Sequence, residues 1–445
     1  MPQLEILHWN DVHGRYAELA RLSARARRIR AGGEHPVLLL DGGDIEDTSV
    51  ELSALTQGVA GWRLLRAAGV DASVVGNGGL LRYGPQALPG YAEAFGRAPL
   101  VCDLSDQDGQ QPHGTMPSTL LTAGDLVVGV IGATDFYPQY TEGFDLVERG
   151  RVTAVRKEAT ALRAAGADVV VLLSHCGEDA DANLSWHLKG SVDLVVGGHT
   201  HDPFPDGRRD RGIPMAHAGC HGQYLGRVML RVEAGEVTVE SMVLEKNVDD
   251  VAGDPAVLAE LEAAEADLAT WLDEPVGTLE AAVPLGTGSD SPVARLMVRA
   301  LMERFPADVG VLICAHMSAG LPQGMVRRRD LYAATSSPGN AATGTIDGHR
   351  LARMLETGAS NEYAARTPRT FRGRPYGGLA VVGAALRDGV AHIGDVPVDP
   401  EATYRITASD LELAHYGGLI PQSIEDVEWD ISRILPEVLE AHFTS

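Results

Sequence analysis

Five times in the first 201 residues a run of apolar, often β-branched residues stops beside glycine at a side chain able to bind a metal. The last is the fullest: Val192-Asp193-Leu194-Val195-Val196-Gly197-Gly198-His199-Thr200-His201. Runs of this kind read as strands buried on both faces. Glycine at their ends lets the backbone turn sharply with nothing bulky in the way. The same pattern precedes Asn10-Asp11-Val12-His13-Gly14, Asp41-Gly42-Gly43-Asp44, Gly76-Asn77-Gly78-Gly79 and Ser174-His175-Cys176-Gly177.

Between these runs lie helical stretches, expected at 16–31, 54–69 and 152–165, and a further strand at 126–131 ending in Gly132-Ala133-Thr134-Asp135. Alternation of this sort makes an α/β sheet, which binds ligands beyond the carboxyl ends of its strands. From 213 to 244 the period falls to two, as in Arg227-Val228-Met229-Leu230-Arg231-Val232, and antiparallel strands are expected to close the domain.

At 445 residues the chain exceeds what one core usually serves, so two domains are expected. The boundaries are read as a first domain over 1–250, a linker helix within 251–275 and a second domain over 276–445. Asp254-Pro255 supplies the cap and first position of that helix, and Asp290-Ser291-Pro292 starts another. Strands are expected near 309–314 and 403–408.

With 37 basic against 61 acidic residues the formal charge is −24, which argues against nucleic acid as a partner. An anionic substrate would meet long-range repulsion, so its site needs local positive charge, and bound divalent cations can supply it. No apolar run reaches membrane-spanning length. Cys102, Cys176, Cys220 and Cys314 are scattered and read as buried thiols of a reducing compartment. The strand at 4–9 is preceded by no basic-then-apolar leader, so the expected location is the cytoplasm, or outside it if a leader has been trimmed. Oligomeric state is not legible.

Collected from the strand ends, Asp11, His13, Asp44, Asn77, His175, His199 and His201 form a carboxylate, amide and imidazole set without thiolates. Such a set suits Mn, Fe, Co or Zn. Seven ligands are too many for one tetrahedral ion and about right for two ions sharing a carboxylate, for which Asp44 is the natural bridge. Two ions roughly 3.5–4 Å apart can hold a bridging hydroxide as nucleophile and clamp phosphoryl oxygens. Taken singly, each residue has a plainer reading: Asp11 and Asp44 as helix caps, Asn77 as a turn residue, His175 as a core histidine. Five such sites in a row, each after a buried strand, favour the metal reading.

These motifs resemble those of the calcineurin-like metallophosphoesterases, and the two-domain layout resembles their 5′-nucleotidase branch. The resemblance covers the whole chain and is strongest over 1–250. It implies a four-layer αββα sandwich followed by a smaller α/β C-terminal domain. It also implies one metal on Asp11, His13, Asp44 and His201 and the other on Asp44, Asn77, His175 and His199. In that family the asparagine is followed by a histidine and an acidic residue, where this chain has Gly78 and Gly79. Arg82 is the candidate to bring charge to the phosphoryl group instead, alongside the catalytic Asp44 and Asn77. His217 and His221 are lesser candidates for the rim.

The C-terminal half departs as well. The family's phosphate-holding Asn-Gly-Gly-x-x-Arg becomes Cys314-Ala315-His316-Met317-Ser318-Ala319-Gly320. Its Pro-Phe-x-Asn becomes Ser337-Pro338-Gly339-Asn340, which removes one base-stacking aromatic. Tyr416 is the expected second aromatic and substrate contact. Arg327-Arg328-Arg329 reads as a solvated turn.

The leading expectation is a hydrolase of phosphoric monoesters, nucleotides or related phosphometabolites, using a dimetal-held hydroxide. The alternatives are a weakened pseudoenzyme that binds a phosphorylated ligand, and a sibling hydrolase of cyclic phosphodiesters or sulfur esters.

Overall fold

The computed structural model describes residues 2–209, 212–248, 252–286, 288–368, 371 and 374–444. The chain divides into two compact units, residues 1–268 and 269–445. The expected boundary at 250/251 lies outside the described residues.

Two five-stranded sheets build the first unit. One runs, in spatial order, Glu236–Lys246, Tyr224–Glu233, Gln3–Trp9, Val37–Asp41 and Ala72–Ser73. The other runs Met215–His217, Leu194–Gly197, Val169–His175, Leu126–Thr134 and Ser118–Ala123. Leu4, Ile6, Leu38 and Leu40 face Val128, Val171, Leu173 and Val196 in a core between the sheets. Alternate residues of the same strands, Leu7, Trp9 and Leu39, turn to an outer layer with the helices Tyr16–Gly32, Val59–Ala68 and Leu88–Phe95. On the far side Ile131, Val170, Leu172 and Val195 pack under Arg151–Ala164. The period of two in a strand gives each sheet two apolar faces, and four layers are the result. This is the αββα sandwich that the resemblance implies.

The parallel pairings align the strand ends that matter. Trp9 is opposite Asp41 and Asp41 opposite Ser73; in the second sheet Thr134 is opposite His175 and Ser174 opposite Gly197. Every candidate ligand loop of the first unit therefore leaves from a carboxyl end.

Three local expectations need correction. The helix expected over 54–69 is two helices, Glu51–Leu55 and Val59–Ala68, because Gln57 and Gly58 take left-handed φ of 50° and 85°. The run Ala72-Ser73-Val74-Val75 before Gly76, read as a strand from its apolar residues, is a two-residue strand, Ala72–Ser73, followed by a single bridge from Val74 to Leu100. Of the four cysteines, Cys220 is half-exposed, while Cys102, Cys176 and Cys314 are buried; all four are free thiols.

The helix Pro255–Leu272 starts as expected, with Asp254 Oδ1 accepting the Ala256 amide at 2.9 Å. Val257 and Ala264 on it are buried in the first unit's core, and Arg63 pairs with Glu260 and Asp267 at 2.5 and 2.8 Å. The second unit holds a mixed sheet in the order Leu379–Val382, Val309–Ile313, Thr403–Ser409, Asn340–Asp347 and Glu428–Ile434. Pro292–Arg304 and Leu435–Thr444 pack on one face and Gly348–Ala359 on the other. Arg328 is not the solvated residue expected of its run. Its guanidinium bonds Glu440 at 2.8 Å, the Trp271 carbonyl at 2.6 Å and Glu274 at 2.6 Å, and lies 4.2 Å from the Trp271 ring centroid. Among the described residues no helix is long and apolar enough to cross a membrane.

Candidate metal centre

The loops at the strand ends are stitched to one another before any side chain acts. The Asp11 amide donates to Gly43 O at 2.9 Å, His13 N to Asp44 O at 3.0 Å, and His221 N to Asp11 O at 2.7 Å. Asp11, His13, Asp44, His199 and His201 all adopt positive φ, between 47° and 81°. For residues with a Cβ this conformation costs energy and persists only where the surroundings impose it, typically at functional sites. Two glycines are required by close approach rather than by φ. A Cβ on Gly76 would fall 2.0 Å from Asp44 Oδ1, and one on Gly198 would fall 2.8 Å from Asp11 Oδ2.

The structure brings the seven side chains together. His13 Nε2 and His201 Nε2 lie 3.0 Å apart, and Asp11 Oδ1 is 3.6 Å from the first and 3.3 Å from the second. Asp44 Oδ2 is 3.9 Å from His13 Nε2 and 3.3 Å from His175 Nε2. Asn77 Oδ1 completes the other side, 3.2 Å from His175 Nε2 and 2.7 Å from His199 Nδ1. Asp11, His13 and His201 form one group spaced to hold an ion, and Asp11, Asp44 and His175 another.

Second partners aim these donors. His13 Nδ1 faces the Glu46 carbonyl at 3.1 Å and His175 Nδ1 the Gly42 carbonyl at 2.7 Å, which turns both Nε2 lone pairs inward. Asp44 Oδ1 accepts the Gly78 amide at 2.7 Å, in the first turn of the helix Asn77–Tyr83. Asp44 Oδ2 is the oxygen that faces the His13 and His175 imidazoles. Asp44 does cap a helix end, although not that of the helix following it in sequence. Asp11 caps none: its Oδ2 accepts from Asn10 Nδ2 at 2.6 Å and His199 N at 2.8 Å.

Asp11 Oδ1 is buried and has no hydrogen-bond partner. A carboxylate oxygen in that state is costly unless a cation meets it. Burial works against charge on Asp11 and Asp44, yet the surrounding imidazoles hold both carboxyls below their ordinary range. Burial likewise disfavours a charged His175, but Asp44 and Asp11 push it up to about 10. Two buried carboxylates ringed by imidazole and amide donors fit borderline divalent ions.

Other candidates fall elsewhere. Arg82, on the last turn of Asn77–Tyr83, holds its guanidinium 5.4 Å from the Tyr83 ring centroid. His217 is not at a rim: it is buried, bonded to Asp181 at 2.8 Å and stacked on Phe204. His221 is at the cluster, its ring centroid 5.7 Å from that of His13 and 5.9 Å from that of His201, on a backbone with φ of 54°. Tyr416 belongs to the second unit, where it lines a cavity of about 470 Å³. Phe371 lines that cavity too, an aromatic that motif comparison does not find.

Asp135 and Tyr137 are absent from the sequence-derived candidates, yet their Oδ2 and hydroxyl lie 3.6 and 3.5 Å from His199 Nε2. Asp135 follows a buried strand as the ligands do, and its amide donates to His175 O at 3.0 Å. The strand-end rule alone points to it.

Comparison with known proteins agrees with this two-domain fold. Residues 4–203 match the family model described as calcineurin-like phosphoesterase, and residues 275–422 the 5′-nucleotidase C-terminal domain. An uncharacterized metallophosphoesterase of Bacillus subtilis, YunD, is 23% identical over 94% of both chains. The 5′-nucleotidase of Diplobatis ommata is 27% identical over 62% of this chain, which spans about half, 54%, of that protein. The solved structure of a 5′-nucleotidase precursor from Thermus thermophilus superposes with a TM-score of 0.55 at 18% identity, covering 99% of this chain and 96% of its own. The chain thus joins a calcineurin-like phosphoesterase domain over residues 4–203 to a 5′-nucleotidase C-terminal domain over residues 275–422.

Proposed function

We propose that the protein hydrolyses a phosphoric monoester with two divalent cations, one held by Asp11, His13, Asp44 and His201 and the other by Asp44, Asn77, His175 and His199. The observation that carries this is Asp11 Oδ1, buried, without a hydrogen bond and within 4 Å of three imidazole Nε2 atoms. What bound cations supply is Lewis acidity, which makes water nucleophilic near neutral pH and offsets phosphoryl charge. The identity of the ions, Mn, Zn, Fe or Co, follows from the donor set only as far as that group.

The chain's own residues do the positioning. Gly42 O and Glu46 O fix the His175 and His13 tautomers, and Gly78 N holds Asp44 through Oδ1 while Oδ2 faces the imidazoles. No imidazole projects from position 78. Two groups stand in for it: Arg82, whose guanidinium makes no hydrogen bond or ion pair among the described residues, and His221, beside His13 and His201. Proximity favours His221 as an N–H donor to a phosphoryl oxygen. Tyr416, largely exposed, lines the second unit's own cavity and is the proposed contact there for a nucleotide or similar phosphometabolite.

The test is turnover of p-nitrophenyl phosphate and bis(p-nitrophenyl) phosphate by Mn²⁺-loaded protein, with Asp44→Asn as control. Monoester hydrolysis that disappears in Asp44→Asn supports the proposal. Faster turnover of the diester moves the assignment to a phosphodiesterase, and no turnover by metal-loaded protein leaves a binding protein.

A further inference from the structure

The second unit carries a cluster of its own. His316, in the turn after the strand Val309–Ile313, is buried. Its Nδ1 lies 2.7 Å from Ser337 Oγ, and its Nε2 lies 3.2 Å from Glu412 Oε1. Glu412 has no exposed surface. It accepts the Ile313 amide at 2.7 Å, the Ser409 amide at 3.0 Å and the Ser409 hydroxyl. Burial alone would push this carboxyl up, but His316 and those donors hold it below its ordinary range.

Hydroxyl, imidazole and buried carboxylate in series is the order of a nucleophile, a base and the group that orients the base. Nε2 faces Glu412 Oε1 and, at 3.3 Å, Ser409 Oγ, whose own O–H donates to Glu412; with only acceptors before it Nε2 carries the proton, and Nδ1 is the free lone pair that faces the Ser337 hydroxyl. The two ring nitrogens are used in the opposite sense to the serine proteases, which leaves the proton bookkeeping unchanged. Ser337 Oγ also accepts the Gly339 amide at 3.3 Å, so its O–H is left to donate to Nδ1. Ser337 and His316 both line the cavity of about 470 Å³. Its walls include apolar Phe371 and Leu411 and the guanidinium of Arg374, held by Ser318 Oγ at 2.9 Å. Asp410 lines it as well, its carboxyl pushed up by burial and by Glu412.

We infer that Ser337, His316 and Glu412 form a second, metal-independent hydrolytic site for small carboxylic esters. Ser337 Oγ attacks the carbonyl carbon while its proton passes to His316 Nδ1, with Arg374 the guanidinium available to the developing oxyanion. The ester C–O bond breaks and the leaving alkoxide takes the proton from Nδ1. Water then attacks the acyl-serine, gives a proton to Nδ1 and releases the acid, and that proton returns to Ser337 Oγ. The balance is ester and water to acid and alcohol, with no oxidant or reductant.

The experiment uses the full chain dialysed against chelator, p-nitrophenyl acetate as substrate and a fluorophosphonate probe read by peptide mass spectrometry. The expected result is a phosphonyl adduct on Ser337 and turnover that falls roughly 10²-fold or more in Ser337→Ala. In Ser337→Cys, alkylation by iodoacetamide is expected at position 337. Absence of an adduct on Ser337 in folded wild-type protein overturns the inference. So does Ser337→Ala turnover equal to wild type, or turnover that requires restored divalent metal. None of these outcomes depends on the phosphoesterase assay.

Discussion

Replacing Asp11 by asparagine tests the metal reading at its most exposed point. The amide is isosteric, and its oxygen can keep the bonds from Asn10 Nδ2 and His199 N, now 2.6 and 2.8 Å long. Its nitrogen then takes the place of Oδ1, 3.3 Å from His201 Nε2. The metal-free variant should therefore fold, while the ion position shared with His13, Asp44 and His201 loses a charged donor. Stabilisation by a ligand follows RT ln(1 + [L]/Kd), about 2.7 kcal/mol at a Mn²⁺ concentration of 100 Kd. If the substitution weakens binding about 100-fold, the same concentration supplies RT ln 2, about 0.4 kcal/mol. For a domain of this size each kcal/mol moves Tm by roughly 2–4 °C. Mn²⁺ added to chelator-stripped protein should thus raise the wild-type midpoint by about 5–10 °C and the variant's by about 1 °C. An equal rise in Asp11→Asn would refute the argument, because a cation bound elsewhere would then account for the shift.

Three further predictions concern other parts of the molecule. A Cβ on Gly78 sits 3.2 Å from Asp44 Oδ1, so Gly78→Ala separates the steric effect from that of a restored imidazole. Gly78→His should exceed Gly78→Ala in phosphomonoesterase kcat/KM by about tenfold or more, and a ratio near one would mean that the loop is organised around another group. Arg328→Ala removes charge-assisted bonds to Glu440 and Glu274 and the stacking on Trp271. It should cost about 2 kcal/mol in denaturant unfolding of the second unit. His8 is held neutral, its pKa lowered to about 3 by burial and by the nearby charge of His217. The unfolded chain binds that proton from about pH 6.5 downward and the folded one does not, so stability falls between pH 6.5 and 3. His8→Leu should make that fall shallower by up to about 1.4 kcal/mol per pH unit, read from denaturant midpoints across the range.

The candidate metal cluster was legible because its members follow buried strands, and parallel pairing sets strand ends side by side whatever the intervening sequence does. Asp135 obeys the same rule but escapes notice because no histidine or glycine beside it marks it as a ligand. His221 stands out in the sequence only by following the last ligand loop, as His217 does, and nothing local separates the two. The left-handed backbone of His221 is paired with a bond from its amide to the Asp11 carbonyl more than 200 residues away. The break at Gln57 and Gly58 was hidden for a related reason, since helical periodicity continues on both sides of it.

In the second unit, motif comparison measures departures at single positions and registers serine for arginine or a lost phenylalanine as deficits. It does not register what the replacements make together. Ser337 stands in one altered motif and His316 in another, while Glu412 lies beyond both. Only the sheet, by setting the ends of Val309–Ile313 and Thr403–Ser409 next to each other, brings the three into line. The positions that weaken a nucleotide assignment are the same ones that assemble the Ser337–His316–Glu412 relay. If that relay is only packing, fluorophosphonate will leave Ser337 unmodified, and the loss of the usual aromatic will remain a plain loss.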